Sequence, residues 1–427
     1  IDMYTECFIL FDECEKLVQD VHYRDSIREP MNDFFRFQNK ALISATPIVP
    51  EKDSRFDGFM RVLIQPDYVY RQKLKLITTN NVLETLQEVI EAKRGTVCIF
   101  CNSIDSIDSF YRLIPELSNA CTFCSEDGQY KLWKGNRRKK SMMITELERY
   151  NFFTSRFYSA VDILCKNPPH VIFVSDLYGA AQSVIDPATE AIQIIGRFRG
   201  GVNSVTHIAS IRPELECMSS SEIDHWIQGA STIFNGWKAQ LARTTNIGER
   251  TLLQEAIGEN SYLPYLDENG KPDSFLIANF YEKEQVKRLY TSADLLHLAY
   301  EQTGYFVFSH EERLMPVSDN ERMAIQHRLA KKKRAELIVR KLEEMEKMSK
   351  ATDKKIQKRY QRMLMNLITS TADRYIYDCF CRFGAEFVRE ADYNENKLRT
   401  ALNVSSEHTI KKSGQMRTYI QRAFPVG

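Results

Sequence analysis

The sequence predicts an α/β fold built on parallel sheet, followed by a mainly α-helical C-terminal region. Three observations predict it. Apolar runs at 7–11 and 171–174 show no polar alternation, and such runs mark strands buried on both faces of a parallel sheet. Strand-like and helix-like segments then alternate as far as Ser210, which requires right-handed crossovers between parallel strands. Past Pro213 the strand signals fade and helical periodicity replaces them.

Strands are predicted at 7–11, 41–43, 96–100, 120–124, 151–154, 171–174 and 206–210. Helices are predicted around Leu83, Leu86, Val89 and Ile90, whose spacing gives one apolar face, and over 104–113 after Asn102-Ser103. A polar connector is expected over 65–81. The segment 127–140, with Lys131, Lys134, Arg137, Arg138, Lys139 and Lys140, reads as a polar insertion that either rides on phosphates or is a solvated loop.

The bulk properties bound the class. A chain of 427 residues exceeds a single core, so two to four domains are expected. The 43% hydrophobic and 27% charged content is that of an ordinary globular protein. Net charge is +1, but residues 319–427 hold about ten more Lys and Arg than Asp and Glu, so a basic tail domain balances an acidic remainder. No run of about 18 apolar residues occurs, so no membrane span is expected. The start at Ile1 has neither a basic n-region nor an apolar h-region, and a cytoplasmic protein is expected. Because the chain opens on Ile1 just ahead of a core strand, it is expected to be part of a longer protein.

Ten cysteines fall mostly inside apolar segments, as reduced core thiols do. Cys98 and Cys101, with Cys121 and Cys124, have a spacing close to that of zinc sites. Both pairs lie on expected strands, however, where residues three apart point to opposite faces. Core thiols are therefore the expectation, with a zinc ribbon as the alternative.

Chemistry concentrates at three places. The first strand ends in Asp12-Glu13-Cys14-Glu15, and ligands of parallel sheets bind beyond the carboxyl ends of strands. There Asp12 is placed to hold Mg²⁺ through water and Glu13 to orient or deprotonate an attacking water. The strand at 41–43 ends in Ser44-Ala45-Thr46, whose small hydroxyl residues can relay hydrogen bonds to a neighbouring lobe. The third is Gln193, Gly196, Arg197 and Arg199. Gly196 is expected to allow a close backbone approach, and the two guanidinium forks match phosphate oxygens.

In this order, the acidic strand, S-A-T and Q-x-x-G-R-x-R resemble a superfamily 2 nucleic-acid helicase or translocase of the DEAD/DEAH-box class. The resemblance covers about residues 7–201. It implies RecA-like lobes, the end of the first and a complete second, with ATP and Mg²⁺ as cofactors. Asp12 would ligate Mg²⁺ through water and Glu13 would activate water, while Ser44, Ala45 and Thr46 would couple hydrolysis to nucleic-acid binding. Gln193 and Gly196 would contact nucleotide, and Arg197 and Arg199 would jointly supply the arginine finger. Thr154 and Asp162 match the family's fifth motif, and the resemblance implies that Thr154 with Ser155 touches a nucleic-acid backbone and Asp162 the interlobe nucleotide network. Three departures stand out. Glu15 replaces the usual Asp or His, Ala160 replaces Gly, and no G-x-x-x-x-G-K-[ST] loop occurs in the chain. The nearest string, at 269–272, is a turn. The phosphate loop is expected ahead of Ile1, and the chain as given is expected to hydrolyse ATP little, if at all. The Arg-x-Arg spacing is similar to that of origin-binding helicases of herpesvirus and phage type, which favours DNA over RNA and a phage or mobile-element setting.

The expected organisation is the end of a first lobe (1–72), a second lobe (73–215), a helical accessory domain (216–318) and a basic helical hairpin and tail (319–427). In the last, Ile338, Leu342 and Met345 form one stripe and Ile356, Tyr360, Met363 and Leu367 another, with a break at 349–353. Lys331, Lys332, Lys333 and Arg334 either bind phosphates or solvate a helix face. This region is also the expected seat of any protein partner. The alternative to a motor is a non-catalytic nucleic-acid-binding or scaffold protein with a degenerate motor.

Overall fold

The computed structural model describes residues 2–22, 24–134, 140–144, 146–159, 161–327, 330–349, 354–368 and 370–403. The expectations on Ala160, on Arg137, Arg138 and Lys139, and on the tail from 404 onward lie outside the described residues.

Among the described residues ten strands form two parallel sheets. The first is a pair, β1 (Phe8–Asp12) beside β2 (Asn39–Ile43), with Asp12 opposite Ile43. The second contains β3 (Gln72–Thr79), β4 (Val97–Phe100), β5 (Cys121–Phe123), β6 (Lys140–Ser141), β7 (Tyr150–Phe153), β8 (His170–Ser175), β9 (Ser204–Ser210) and β10 (Phe306–Arg313), in the order β10-β3-β9-β8-β4-β7-β5-β6. Every ladder in it is parallel. The α/β parallel-sheet class with a helical C-terminal region is therefore what the chain adopts.

Alternate residues of the central strands of the large sheet feed two cores, as the pleat dictates. Cys98, Phe100, Phe153, Val171 and Phe173 face one. Val97, Ile99, Phe152, Ile172 and Val174 face the other, beneath the helices Val82–Glu91 and Ile104–Leu113. The same alternation separates the four spaced cysteines. Cys98 and Cys121 lie in the first core and Cys101 and Cys124 in the second, so the four thiols do not converge. Among the described residues no group of three or more His, Cys, Asp or Glu is gathered for a metal ion.

Four local expectations are corrected. The connector expected over 65–81 contains β3, because Leu74 and Leu76 alternate with Lys73 and Lys75 and reach the core at one edge of the sheet. The stretch 216–318 is not wholly helical. Its last part, β10, pairs with β3 and extends the sheet, and Tyr290, Leu296, Tyr300 and Phe306 join the first core. The insertion after β5 begins as a helix, Glu126–Lys134, with Leu132 buried. Finally, β1 is not buried on both faces. Ile9 and Phe11 pack inward, whereas Phe8 is 63% and Leu10 53% exposed. A two-stranded sheet has a covering layer on one face only.

A polar network lies buried beside the large sheet, formed by residues of β8, β9 and the segment 290–300. Ser175, His207, Tyr290 and Tyr300 are each fully buried. The Ser175 hydroxyl is 3.1 Å from His207 Nε2, and His207 Nδ1 is 2.8 Å from the Tyr300 hydroxyl. Tyr290 donates to the Ile185 carbonyl and accepts from the Ile185 N–H. A serine beside a histidine invites comparison with nucleophilic catalysis. With no exposed face, this one satisfies buried donors and acceptors instead, and it holds the loop that leads into the helix Glu190–Gly196.

Of the C-terminal stripes, Ile338, Leu342 and Met345 pack with Tyr360, Met363 and Leu367, and a third helix is added; the Ile356 side chain and residues 350–353 lie outside the described residues. Lys331–Ser349, Lys354–Leu367 and Thr371–Glu390 share one core containing Ile338, Leu342, Met345, Met363 and Leu367. The bundle is tied to the second lobe where Asn81 donates to the Val317 carbonyl and Arg362 pairs with Glu84 at 2.8 Å. Among the described residues no helix is long and apolar enough to cross a membrane.

Candidate functional site

The residues singled out from the first strand, from S-A-T and from the Gln-Arg segment meet between the lobes. After Asp12 the backbone of Glu13 turns to a φ of +53°, a left-handed conformation that costs a non-glycine residue on the order of 1–3 kcal/mol. The Glu13 N–H donates to Asp12 Oδ1 at 2.8 Å. The turn leaves Asp12 exposed and carries Glu15 into the interior, where it is 1% exposed.

From the second lobe, the helix Glu190–Gly196 delivers Gln193 to the same point. Gln193 Nε2 donates to Glu15 Oε1 at 2.7 Å and to Thr46 Oγ1 at 2.8 Å. All three residues are buried. Thr46 is fixed in turn, since its N–H donates to the Ser44 hydroxyl at 2.9 Å. Ala45 is exposed beside them. One amide thus joins segments 147 and 178 residues distant in sequence. The other oxygen of Glu15, Oε2, is buried with no hydrogen-bond partner.

The two arginines part company. Arg197, on the last turn of this helix, donates through Nε to the Gln193 carbonyl at 3.1 Å and stands 3.9 Å from Glu13 Oε1. Arg199 turns outward and pairs with Asp162 at 2.9 Å, where both side chains are about half exposed. Gly196 is not the site of a close approach, because a Cβ there would meet nothing within 4 Å. The glycine that needs its bare Cα is Gly179, where a Cβ would sit 2.2 Å from an Asp176 carboxylate oxygen. Asp176 accepts from the Gly179 N–H and from the Ser106 hydroxyl.

Of the two residues expected at a nucleic-acid backbone, Ser155 is exposed and Thr154 is buried with its hydroxyl donating to the Phe123 carbonyl. The strand-end position explains this, because the N–H of Thr154 also donates to Phe123. The basic cluster divides likewise. Arg334 pairs with buried Asp373, and Lys332 pairs with Asp392 at 2.7 Å. Lys331 and Lys333 are exposed.

A second polar junction was not legible in the sequence. Gln19 Nε2 donates to the Thr189 hydroxyl at 3.0 Å and to Glu282 at 2.9 Å. Asn279 donates to the Val18 carbonyl, and Arg28 pairs with Asp273 at 2.7 Å. These contacts seat the helix Ser274–Leu289 against the first lobe, with Phe275 and Leu276 in that lobe's core. Nothing in the periodicity of that helix announces a partner so distant in sequence.

Burial pushes the carboxyl of Glu190 up to about 8, with Asp186 and Glu282 adding repulsion. Burial raises Glu282 to about 7. Burial also holds His207 neutral, down to about 3. The two glutamates keep protons that the unfolded chain releases near 4.5, so their contribution is full below that pH and lost as pH rises through 7–8. The His207 contribution is full above about 6.5 and lost as pH falls toward 3. Of these three groups only the glutamates act between pH 6.5 and 8. Thermal melts over that window are expected to show a falling Tm, and Glu190→Gln with Glu282→Gln should remove most of the fall. A Tm that rises with pH would contradict the assignment.

No protein-family model matches this chain, and no curated protein matches it significantly.

Proposed function

We propose that this chain is part of an ATP-dependent translocase or helicase acting on nucleic acid, with DNA preferred to RNA, in the cytoplasm. The observation that carries the reading is the Gln193 bridge to Glu15 and Thr46, with Arg197 facing Glu13 beside it. Residues from three separate motifs meet where the two parallel sheets adjoin, which supports the reading.

The residues present fit one side of a nucleotide site. Asp12 is an exposed carboxylate at a strand's carboxyl end, suited to a hydrated Mg²⁺. Glu13, held by its left-handed backbone, is positioned to take a proton from water. Arg197, only loosely paired at 3.9 Å, is available to a developing negative charge. Bound Mg²⁺ would supply charge neutralisation at the phosphates. Gln193 senses closure, because its two acceptors belong to the first lobe and its backbone to the second. The loop that cradles phosphates is not among these residues. The exposed apolar face at Phe8, Leu10 and Ile43 is where further elements of the first lobe would pack.

The test is phosphate release by the intact gene product, with and without single-stranded DNA or RNA. Stimulation by one strand supports the reading and names the substrate. A folded protein that binds nucleic acid without turnover would make this a binding or scaffold protein.

On the bundle, Lys331 and Lys333 are the members of the basic cluster proposed to contact phosphates. Lys331→Gln with Lys333→Gln should weaken single-strand binding and lower the salt slope by about 1.4, the value for two lost phosphate contacts. Arg334→Gln should instead cost about 1–3 kcal/mol of stability by removing the charge partner of buried Asp373, which keeps its bond from the Ser370 N–H. Fluorescence titrations across a salt series, beside urea unfolding, separate the two outcomes. Unchanged binding in the double lysine variant would leave those side chains as a solvated helix face.

A further inference from the structure

We propose that Gln19 is a positioning residue: its side-chain amide holds the arginine-bearing helix Glu190–Gly196 at Thr189, and the helix Ser274–Leu289 holds that amide in place. Gln19 belongs to none of the motifs described above. It closes the short helix Lys16–Gln19, which begins directly after Glu15.

Three contacts cross between this segment and the arginine-bearing helix, and they run in register. Arg197 faces Glu13 at 3.9 Å, Gln193 donates to Glu15 at 2.7 Å, and Thr189 accepts from Gln19 at 3.0 Å. On one side the residues are four apart, at 189, 193 and 197, so they share a face of the helix. On the other they fall at 13, 15 and 19 in the opposite order, with Glu15 and Gln19 one turn apart. The two short segments therefore lie antiparallel and are joined through their side chains. Motif residues supply two of the rungs, and Gln19 supplies the third.

The third rung is fixed from every side. Lys16 Nζ donates to Gln19 Oε1 at 3.1 Å, while Gln19 Nε2 donates to Thr189 Oγ1 and, at 2.9 Å, to Glu282 Oε1. These partners decide which way the amide points, because the reversed orientation would set its oxygen against the Glu282 carboxylate. Thr189 donates its own hydroxyl proton to Asp186 Oδ2 at 2.6 Å, which leaves its lone pairs to Gln19. The helix that follows needs such support. It has seven residues and no side-chain cap at its N-terminus, and a helix of that length is not stable by itself.

The amide is controlled in turn by the helix Ser274–Leu289. Asn279 donates to the Val18 carbonyl at 2.8 Å and Glu282 accepts from Gln19, so one turn of that helix grips the end of the short one. The same helix runs on to Tyr290, whose hydroxyl donates to the Ile185 carbonyl just ahead of Thr189. A shift of this helix reaches Thr189 from both sides, and through it the distance between Arg197 and Glu13. The bearing of Gln19 on turnover rests on the nucleotide reading given above, whereas its hold on the helix does not.

The test is amide hydrogen exchange of the whole chain in the Gln19→Met variant, which keeps the side chain's length and removes its donors. Exchange over 190–197 is expected to speed up at least severalfold, with exchange over 104–113, a helix on the other core, unchanged. Glu282→Ala removes one of the amide's two acceptors and should give a smaller acceleration over the same residues. Thr189→Val should match Gln19→Met and replaces it should that variant fold poorly, whereas Thr189→Ser keeps the hydroxyl and should exchange as the wild type does. In the intact gene product, Gln19→Met should lower kcat for nucleic-acid-stimulated ATP hydrolysis by about tenfold or more, since Arg197 is misplaced. KM for ATP should stay within about twofold, since no nucleotide contact is removed. Unchanged exchange over 190–197 in both Gln19→Met and Thr189→Val would overturn the proposal, and faster exchange with kcat unaltered would overturn the step from the helix to Arg197. Faster exchange in a gene product without turnover would support the hold by Gln19 and count against the nucleotide reading.

Discussion

Replacing Gln193 with alanine is expected to lower stability by about 1–3 kcal/mol, the loss typical of leaving buried acceptors without their donor. Gln193 donates to both Glu15 and Thr46, and the second Glu15 oxygen has no partner already. Truncation would therefore leave a fully buried side chain with neither oxygen bonded. No rearrangement at the surface offers relief, since Glu15 is 1% exposed. A double-mutant cycle in urea separates this from simple cavity formation. Glu15→Gln combined with Gln193→Ala should show a coupling of about 1.5 kcal/mol or more, because the two residues share one hydrogen bond. A coupling below about 0.5 kcal/mol would mean that the bridge contributes packing alone.

The second large effect concerns turnover. In the intact gene product, Arg197→Ala is expected to reduce nucleic-acid-stimulated ATP hydrolysis by about 10³-fold or more, as loss of an arginine finger does. Arg199→Ala should cost less than about tenfold. The sequence assigns the two jointly, and geometry distinguishes them. Arg197 is 15% exposed and faces Glu13, whereas Arg199 is 63% exposed and engaged with Asp162. Steady-state phosphate release at saturating ATP reads both. An equal loss in the two variants, or a larger one for Arg199→Ala, would show that the arginines exchange places when nucleotide binds.

Much of the motif reading depends on spacing, and spacing survived folding where the backbone is regular. Glu15, Thr46 and Gln193 were singled out as members of separate motifs, and they are within hydrogen-bonding distance of one another. Where a role depended on exposure, the sequence was a poorer guide. Thr154 has the right residue type at a strand end, but its hydroxyl is taken by Phe123. Arg334 belongs to a run of four cations, but Asp373 lies beside it because a third helix returns past the first. A charge run does not reveal which of its members a distant acid will claim.

The parallel α/β class, the positions of most strands and the division of the spaced cysteines between two cores were determined by the sequence itself. Each follows from local rules, namely apolar runs, the period of two along a strand, and short capping signals. The membership of β10 in the sheet, the bridge formed by the helix Ser274–Leu289 and the separation of Arg197 from Arg199 were decided by tertiary structure. These depend on which of several compatible surfaces come together. That choice is set by the total burial and hydrogen bonding of the whole chain, to which no single segment's pattern gives access.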